Sequence, residues 1–415
     1  MSDLNLVTSV FDFLFLVVPI LLPIGLVILL ANIFLDVNRR KFIISQEHVL
    51  LEILPPQDIE KSPAAMELFL TALYNTGDAA HWHEKYFQGK VRAWFSLEIV
   101  SINGNVHFYI WTRQALRKNI ESQLYAQFPG IEVVEVDDYT AGIEYDDSME
   151  MFGAELKLAE PDPYPIKTYV DYGLDRETEE EIKVDPITPI LEMMGSLDKG
   201  HQMWIQIIVR AHTKEDKDPS KWFGTTDAWK DTSKEEIQKI RDDSVIEVEE
   251  GDTKKKIPQM TKGQADRITA LERSVSKLSF DTGVRMLYLS EKDVFDGSNI
   301  GAMLGSFKQY NSPDLNGFKI SMTTSFKYPW QDRSGLKVHK MKEEILDTYK
   351  ERDYFWRPYT KYFSWRPSKL IEREKFVLNT EELATIYHFP GRVAFTPTVD
   401  RVQSKKGTAP SDLPV

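Results

Sequence analysis

The hydrophobic pattern begins with an unbroken apolar run. From Phe13 to Leu35 the chain reads Phe-Leu-Phe-Leu-Val-Val-Pro-Ile-Leu-Leu-Pro-Ile-Gly-Leu-Val-Ile-Leu-Leu-Ala-Asn-Ile-Phe-Leu, without a charge. A helix of this length covers about 34 Å at about 1.5 Å per residue, enough to cross a hydrocarbon core of about 30 Å. The run is longer than a signal-peptide core, and no small-residue cleavage motif follows it. Pro19 and Pro23 lie inside it and predict kinks, because each removes a backbone donor. Asp3 and Asp12 precede the run, and Arg39, Arg40 and Lys41 follow it. Basic residues stay on the cytoplasmic side, so residues beyond Lys41 are expected in the cytoplasm.

Past the basic residues the pattern changes period. His48 to Leu54 alternates as a strand does and stops at Pro55-Pro56. Ser62-Pro63 opens a helix to about Tyr74, with Met66, Leu68, Phe69, Leu70 and Leu73 making a broad apolar face. Val91–Ser101 and Val106–Trp111 read as strands around Asn103-Gly104, a strong hairpin signal. A helix over Arg113–Phe128 ends at Pro129-Gly130, before a strand over Ile131–Val136. The order β-α-β-β-α-β predicts a ferredoxin-like antiparallel sheet with two helices on one face. It recurs more loosely, with strands at Ala154–Leu158, Gln202–Ala211, Val284–Leu289 and Phe318–Met322 and helices at Pro186–Leu197 and Asn299–Tyr310. One or two ferredoxin-like domains are therefore expected, in an α+β chain.

The middle strands of the second set are separated by residues 213–280, rich in Lys, Glu and Asp. This insertion predicts a protruding helical hairpin: a helix over Ser233–Ser244, a charged turn over Val245–Pro258, and a helix over Gln264–Leu278 with Ile268, Leu271, Val275 and Leu278 on one stripe. From Tyr328 onward aromatic and basic residues mix. Trp356-Arg357-Pro and Trp365-Arg366-Pro are candidate interaction segments, whose guanidiniums could stack on bases or snorkel from packed aromatics. Asn379 or Thr380 can cap a short helix before His388-Phe-Pro-Gly391. The expected divisions are an anchor at 1–41, a first domain at 42–145, a second at 146–325, an aromatic and basic extension at 326–402, and a tail at 403–415.

Composition narrows the function. The 415 residues carry a net charge of −13, which argues against a general nucleic-acid surface and leaves only a local basic groove open. The chain has no cysteine, so disulfides, thiolate metal sites and cysteine nucleophiles are excluded. No phosphate-binding Gly-x-x-x-x-Gly-Lys-Ser/Thr loop occurs; Gly297, Gly301 and Gly305 lack the following Lys-Ser. His81-Trp-His83-Glu84 has a metal-ligand look but no second histidine cluster nearby, and reads better as a surface loop. Acidic pairs such as Asp137-Asp138 and Asp146-Asp147 suit solvated turns rather than acid-base catalysis. No catalytic constellation, cofactor site or metal site emerges.

Several stretches carry a family likeness: Leu51-Glu-Ile-Leu-Pro-Pro56, Gly89-Lys-Val-Arg-Ala-Trp-Phe-Ser-Leu-Glu-Ile99, Ile120-Glu-Ser-Gln-Leu-Tyr-Ala-Gln-Phe-Pro129, Trp204-Ile-Gln-Ile-Ile208, Gly317-Phe-Lys319 and Leu378-Asn-Thr-Glu-Glu-Leu-Ala-Thr-Ile-Tyr-His-Phe-Pro390. Together they resemble the membrane-anchored N-terminal region of type IV secretion, conjugation-type coupling ATPases from candidate-phyla bacteria, without the ATPase domain. The resemblance implies a single-pass protein of the cytoplasmic membrane, its bulk cytoplasmic. It also implies a non-catalytic scaffold or adaptor of a type IV secretion or DNA-translocation-like machine, with an ATPase subunit and the lipid bilayer as partners. The alternative is a membrane-anchored single-stranded nucleic-acid-binding protein. Oligomerisation is left open.

Overall fold

The computed structural model describes residues 2–56, 62–74, 81–176, 184–214, 216–217, 225–250, 253–326, 328–355 and 375–391. They fall into two units. In the first, α1 (Ser2–Ser45) is one continuous helix with Pro19 and Pro23 inside it. Its described stretch Leu21–Ser45 is long and apolar enough to cross a membrane. The same unit holds the short helix α3 (Trp82–Tyr86), where a loop was expected.

The second unit is built on an antiparallel sheet. Its first strands are β1 (His48–Leu54), β2 (Phe95–Ile102), β3 (Asn105–Arg113) and β4 (Glu132–Val136). Then come β5 (Met149–Leu158), β6 (His201–Ala211), β11 (Ser279–Glu291) and β12 (Phe318–Thr323). They lie side by side in the order β12-β5-β11-β6-β2-β3-β1-β4. A ninth strand, β13 (Phe376–Asn379), pairs with the start of β11, beyond the stretch that β5 covers. The two sets of four expected strands thus form one sheet, continuous through the pairing of β2 with β6 from Phe95↔Val209 to Ile102↔Gln202. Within each set the order across the sheet is fourth, first, third, second.

Local chemistry explains the pairing. The β2–β3 turn uses Asn103 (φ 55°) and Gly104 (φ 85°), both left-handed, as a two-residue hairpin of the twist-matching kind requires. Side chains alternate between faces. On one, Leu97, Ile99, Ile205, Ile207, Val284 and Met286 form a continuous core with α2 (Pro63–Leu73), α4 (Arg117–Gln127), α5 (Thr188–Gly195) and α8 (Ser298–Gly305). The helix α10 (Thr380–Ile386) closes the same core, capped by Asn379, whose side chain accepts from Glu382 N.

The insertion departs from the expectation at its middle. A small ribbon, β7 (Asp216–Lys217) with β8 (Thr225–Thr226), precedes α6 (Ala228–Asp243). The expected charged turn is instead an antiparallel hairpin, β9 (Val245–Glu250) with β10 (Thr253–Pro258). Its register sets Glu249 opposite Lys254 and Glu247 opposite Lys256. The second helix, α7 (Lys262–Ser276), packs Ile268 and Leu271 on Ile240 of α6, as its stripe predicted. Leu278, expected on that stripe, is exposed, because the helix ends before it.

One helix lies where none was expected. The chain over Leu336–Lys350 forms α9, burying Met341, Ile345, Leu346 and Tyr349 at helical spacing. It covers the sheet face opposite α2, α4, α5 and α8: a Cβ on Gly153 of β5 would meet Ile345 Cδ1 at 2.7 Å. Trp356, Arg357, Trp365 and Arg366 lie outside the described residues.

Candidate functional site

Under α9 a line of polar residues crosses the sheet at right angles to its strands. Glu155 of β5 faces Arg285 of β11, which faces Gln206 of β6, which faces Glu98 of β2, then Tyr109 of β3 and Glu52 of β1. Each belongs to the strand face opposite the large core, since residues two apart share a face. Glu155, Arg285, Gln206 and Glu98 are buried, and buried charge is tolerated only when paired and hydrogen-bonded.

Every link is made. Arg285 Nε donates to Glu155 at 3.1 Å, and its Nη1 donates to Gln206 Oε1 at 3.0 Å and to the Thr348 carbonyl of α9 at 2.9 Å. Gln206 Nε2 donates to Glu98 and to the Tyr349 carbonyl, both at 3.1 Å. Glu98 also accepts from Ser96 Oγ at 2.6 Å, Tyr139 OH at 2.8 Å and Arg352 Nε at 3.0 Å. Arg352, just past α9, adopts a left-handed backbone (φ 47°), uncommon for a residue with a Cβ. It reaches Asp138 as well, at 3.0 Å, while its carbonyl accepts from Trp94 Nε1 at 2.9 Å.

The electrostatics follow from this crowding. Burial alone would lower the Arg352 guanidinium, but Glu98 and Asp138 hold it well above its ordinary value. Burial would raise Asp138; Arg352 outweighs it and keeps that carboxyl low. Burial, then the charge of Glu98, pushes the Tyr139 and Tyr349 hydroxyls far up.

A second cluster sits on the same face at the start of β11. Asp281 accepts from His212 Nδ1 at 2.7 Å and from Arg210 Nε and Lys375 Nζ, each at 2.9 Å. His212 Nε2 lies 3.3 Å from Asp227, the N-cap of α6. Burial opposes ionisation at Asp281, yet His212, Arg210 and Lys375 hold its carboxyl far below the usual range. Burial also disfavours a charged His212, but Asp281 and Asp227 raise it. Nearby, burial pushes Asp162 up to about 6 while it accepts from Val377 N at 2.9 Å. Glu382 of α10 is pushed to about 8, again by burial, with Asn379 N and Ile166 N each donating to it at 2.9 Å.

These arrangements join elements. Their carboxylates and guanidiniums face one another, and among the described residues no group of three or more His, Asp or Glu is placed to hold a metal ion. His81 is the N-cap of α3, and His83 stacks on Phe87 at 5.4 Å. Of the residues expected to orient the chain, Arg40 and Lys41 are exposed near the end of α1 and Arg39 is partly buried.

The polar row was not anticipated from the sequence, although it left a trace there. Glu98 interrupts Phe-Ser-Leu-Glu-Ile-Val, Gln206 interrupts Trp-Ile-Gln-Ile-Ile, and Arg285 interrupts Val-Arg-Met-Leu. One polar residue within a strand buried on both faces has no solvent to turn to, and so requires a partner.

The geometry defines an α+β protein with an antiparallel sheet, sandwiched between helices over its middle, and an N-terminal helix long and apolar enough to cross a membrane. Residues 40–402 match a family described as a domain of unknown function, DUF8128, and the chain belongs to that family. No curated protein matches the chain.

Proposed function

We propose that the protein is a non-catalytic, membrane-anchored scaffold or adaptor of a type IV secretion or DNA-translocation-like machine, acting beside a separate ATPase. One observation carries this reading: the chain joins an apolar helix to a sheet body in which the buried Glu155, Arg285, Glu98 and Arg352 pair with one another instead of converging on a reacting atom. An enzyme holds such groups ready for a substrate, whereas a scaffold uses them to fix its own shape. Each half of the sheet reads as a ferredoxin-like unit, by its strand order and by the helices after its first and third strands. The outer strands β4 and β12, with Val134 and Ile320 exposed, offer edges to which a protein partner can add. Arg39, Arg40 and Lys41 favour a cytoplasmic body, where such a motor works.

The test is affinity purification of the full chain from its native membranes under mild detergent. Co-purification of an ATPase at fixed stoichiometry is the expected result. Purification without one, together with tight binding of single-stranded DNA that weakens steeply with salt, would refute the adaptor reading and favour the nucleic-acid alternative. That alternative draws less support, because α9 covers the sheet face it would use.

A further inference from the structure

The aromatic segment around α3 has no part in the sheet. It lies in the unit of α1, fastened at two levels. Phe87 meets Phe34 of α1 edge to face, with ring centroids 6.2 Å apart. Four residues along α1, about one helical turn, Gly89 (φ 68°) lies so close that a Cβ there would stand 2.3 Å from the Asn38 carbonyl carbon and 2.4 Å from Arg39 N. The turn closes on itself through Lys90 N to Glu84 O at 2.9 Å and the Lys90–Glu84 ion pair at 3.2 Å.

So fastened, the segment presents a cluster of rings to its surroundings. Trp82 is 69%, Phe87 52% and Tyr86 49% exposed. Trp82 packs on Phe87 at 5.7 Å and His83 stacks on it at 5.4 Å, while Lys85 lies over the Tyr86 ring at 5.9 Å. Three large exposed aromatics on so short a stretch mark a surface that something covers. Its level on α1 identifies the cover. Phe34 is the last residue but one of the uncharged run that begins at Phe13, and Arg39, Arg40 and Lys41 begin within two turns beyond it. The rings therefore stand where hydrocarbon gives way to headgroups, the depth that Trp and Tyr favour with their apolar bodies and polar tips. The basic side chains at that level suit anionic headgroups.

We propose that residues 81–90 form a membrane-interface anchor, with Trp82, Tyr86 and Phe87 seated in the headgroup region of the bilayer that α1 crosses. The anchor rests on the reading of α1 as a span, and it would fix the helix's depth and rotation where the span alone would not.

The absence of cysteine makes the test direct, because one introduced cysteine takes the only label. Full-length W82C and Y86C, each carrying a nitroxide, are reconstituted into vesicles of phosphatidylcholine and phosphatidylglycerol. Collision with oxygen and with a water-soluble nickel chelate is compared with two references, L26C within the span and K234C on α6, where Lys234 is 77% exposed. At positions 82 and 86 chelate collision should be reduced at least about threefold relative to K234C, as residues in the interfacial belt require. If W82C and Y86C match K234C while L26C stays protected, the anchor is refuted and the span stands. If L26C also matches K234C, the span reading fails and takes the anchor with it. Protection in native membranes but not in protein-free vesicles would assign the surface to a protein, and would equally overturn the proposal.

Discussion

Removing the Arg352 side chain tests whether the polar row holds the second unit together. In Arg352→Ala, Glu98 and Asp138 lose their cation, while Glu98 stays buried with only Ser96, Gln206 and Tyr139 as donors. Breaking one side of a buried ion pair costs about 3–5 kcal/mol, because the remaining charge is left under-compensated in a dry site. Glu98→Gln should cost less, about 1–3 kcal/mol, since Asp138 still pairs with Arg352. The double variant should fall short of the sum by about 1–3 kcal/mol, as residues sharing one network do. The backbone adds an internal check. At φ 47° a Cβ is strained, so Arg352→Gly should be more stable than Arg352→Ala by about 1 kcal/mol, reversing the usual order of the two residues.

Urea unfolding of the full chain in detergent, followed by tryptophan emission, measures these differences without the ionic screening that guanidinium would bring. Trp94 donates to the Arg352 carbonyl, and Trp204 packs on Tyr139 and Tyr349 at 5.2 Å each, so two indoles report on the site. A loss below about 1 kcal/mol in Arg352→Ala, or strict additivity in the double variant, would refute the claim that the row bears on stability.

Glu382, raised to about 8 from an ordinary 4.5, binds its proton more tightly folded than unfolded, so its contribution is complete below about pH 4.5 and lost as pH rises through 8. Thermal midpoints should therefore fall between pH 6 and 9, with His212 acting in the same direction, and Glu382→Gln should flatten that slope; a slope unchanged by the substitution would contradict the assignment. Leu271→Ala, which empties a fully buried contact between α7 and α6, should cost about 2–5 kcal/mol by the same urea assay, and a cost near zero would show that the arm's helices do not pack. Gly89→Ala should free residues 81–92 from α1 and expose them to protease in detergent; an unchanged digestion pattern would argue against the close approach.

Much of this architecture was legible in the sequence, and the rest was hidden for physical reasons. The Asn103-Gly104 turn, a cap at Asn379 or Thr380, and the Ile268 and Leu271 part of the α7 stripe are local: each depends on residues within a few positions, and each is legible in the sequence, whereas Leu278 lies past the helix end. Helix α9 was missed because Trp330 and the Trp-Arg-Pro repeats drew the stretch toward an aromatic surface, although Met341, Ile345 and Tyr349 recur at four-residue spacing. The strand β13 was hidden because four residues carry too little period to declare themselves. The pairing of β2 with β6 could not be read at all. Both strands are buried on both faces, so neither pattern says which neighbour lies alongside.

Two apolar strands buried on both faces can slide past one another in steps of two residues and still present the same faces, so burial alone specifies the β2–β6 register weakly. The polar row removes that freedom. A two-residue slip of β6 along β2 would set Gln206 opposite Ser96 or Val100 instead of Glu98, and would carry it away from Arg285 unless β11 moved too. Each polar group thus left over would lie in a site that offers no water, at about 1–3 kcal/mol apiece. Arg352 extends the constraint across layers, because its Nε and Nη2 engage the Glu98 carboxylate while Trp94 holds its carbonyl, so α9 can end at only one place above the sheet. Apolar residues of equal volume could make the same sheet as stable. They could not make it as singular, because only the polar row distinguishes the observed register from its two-residue neighbours.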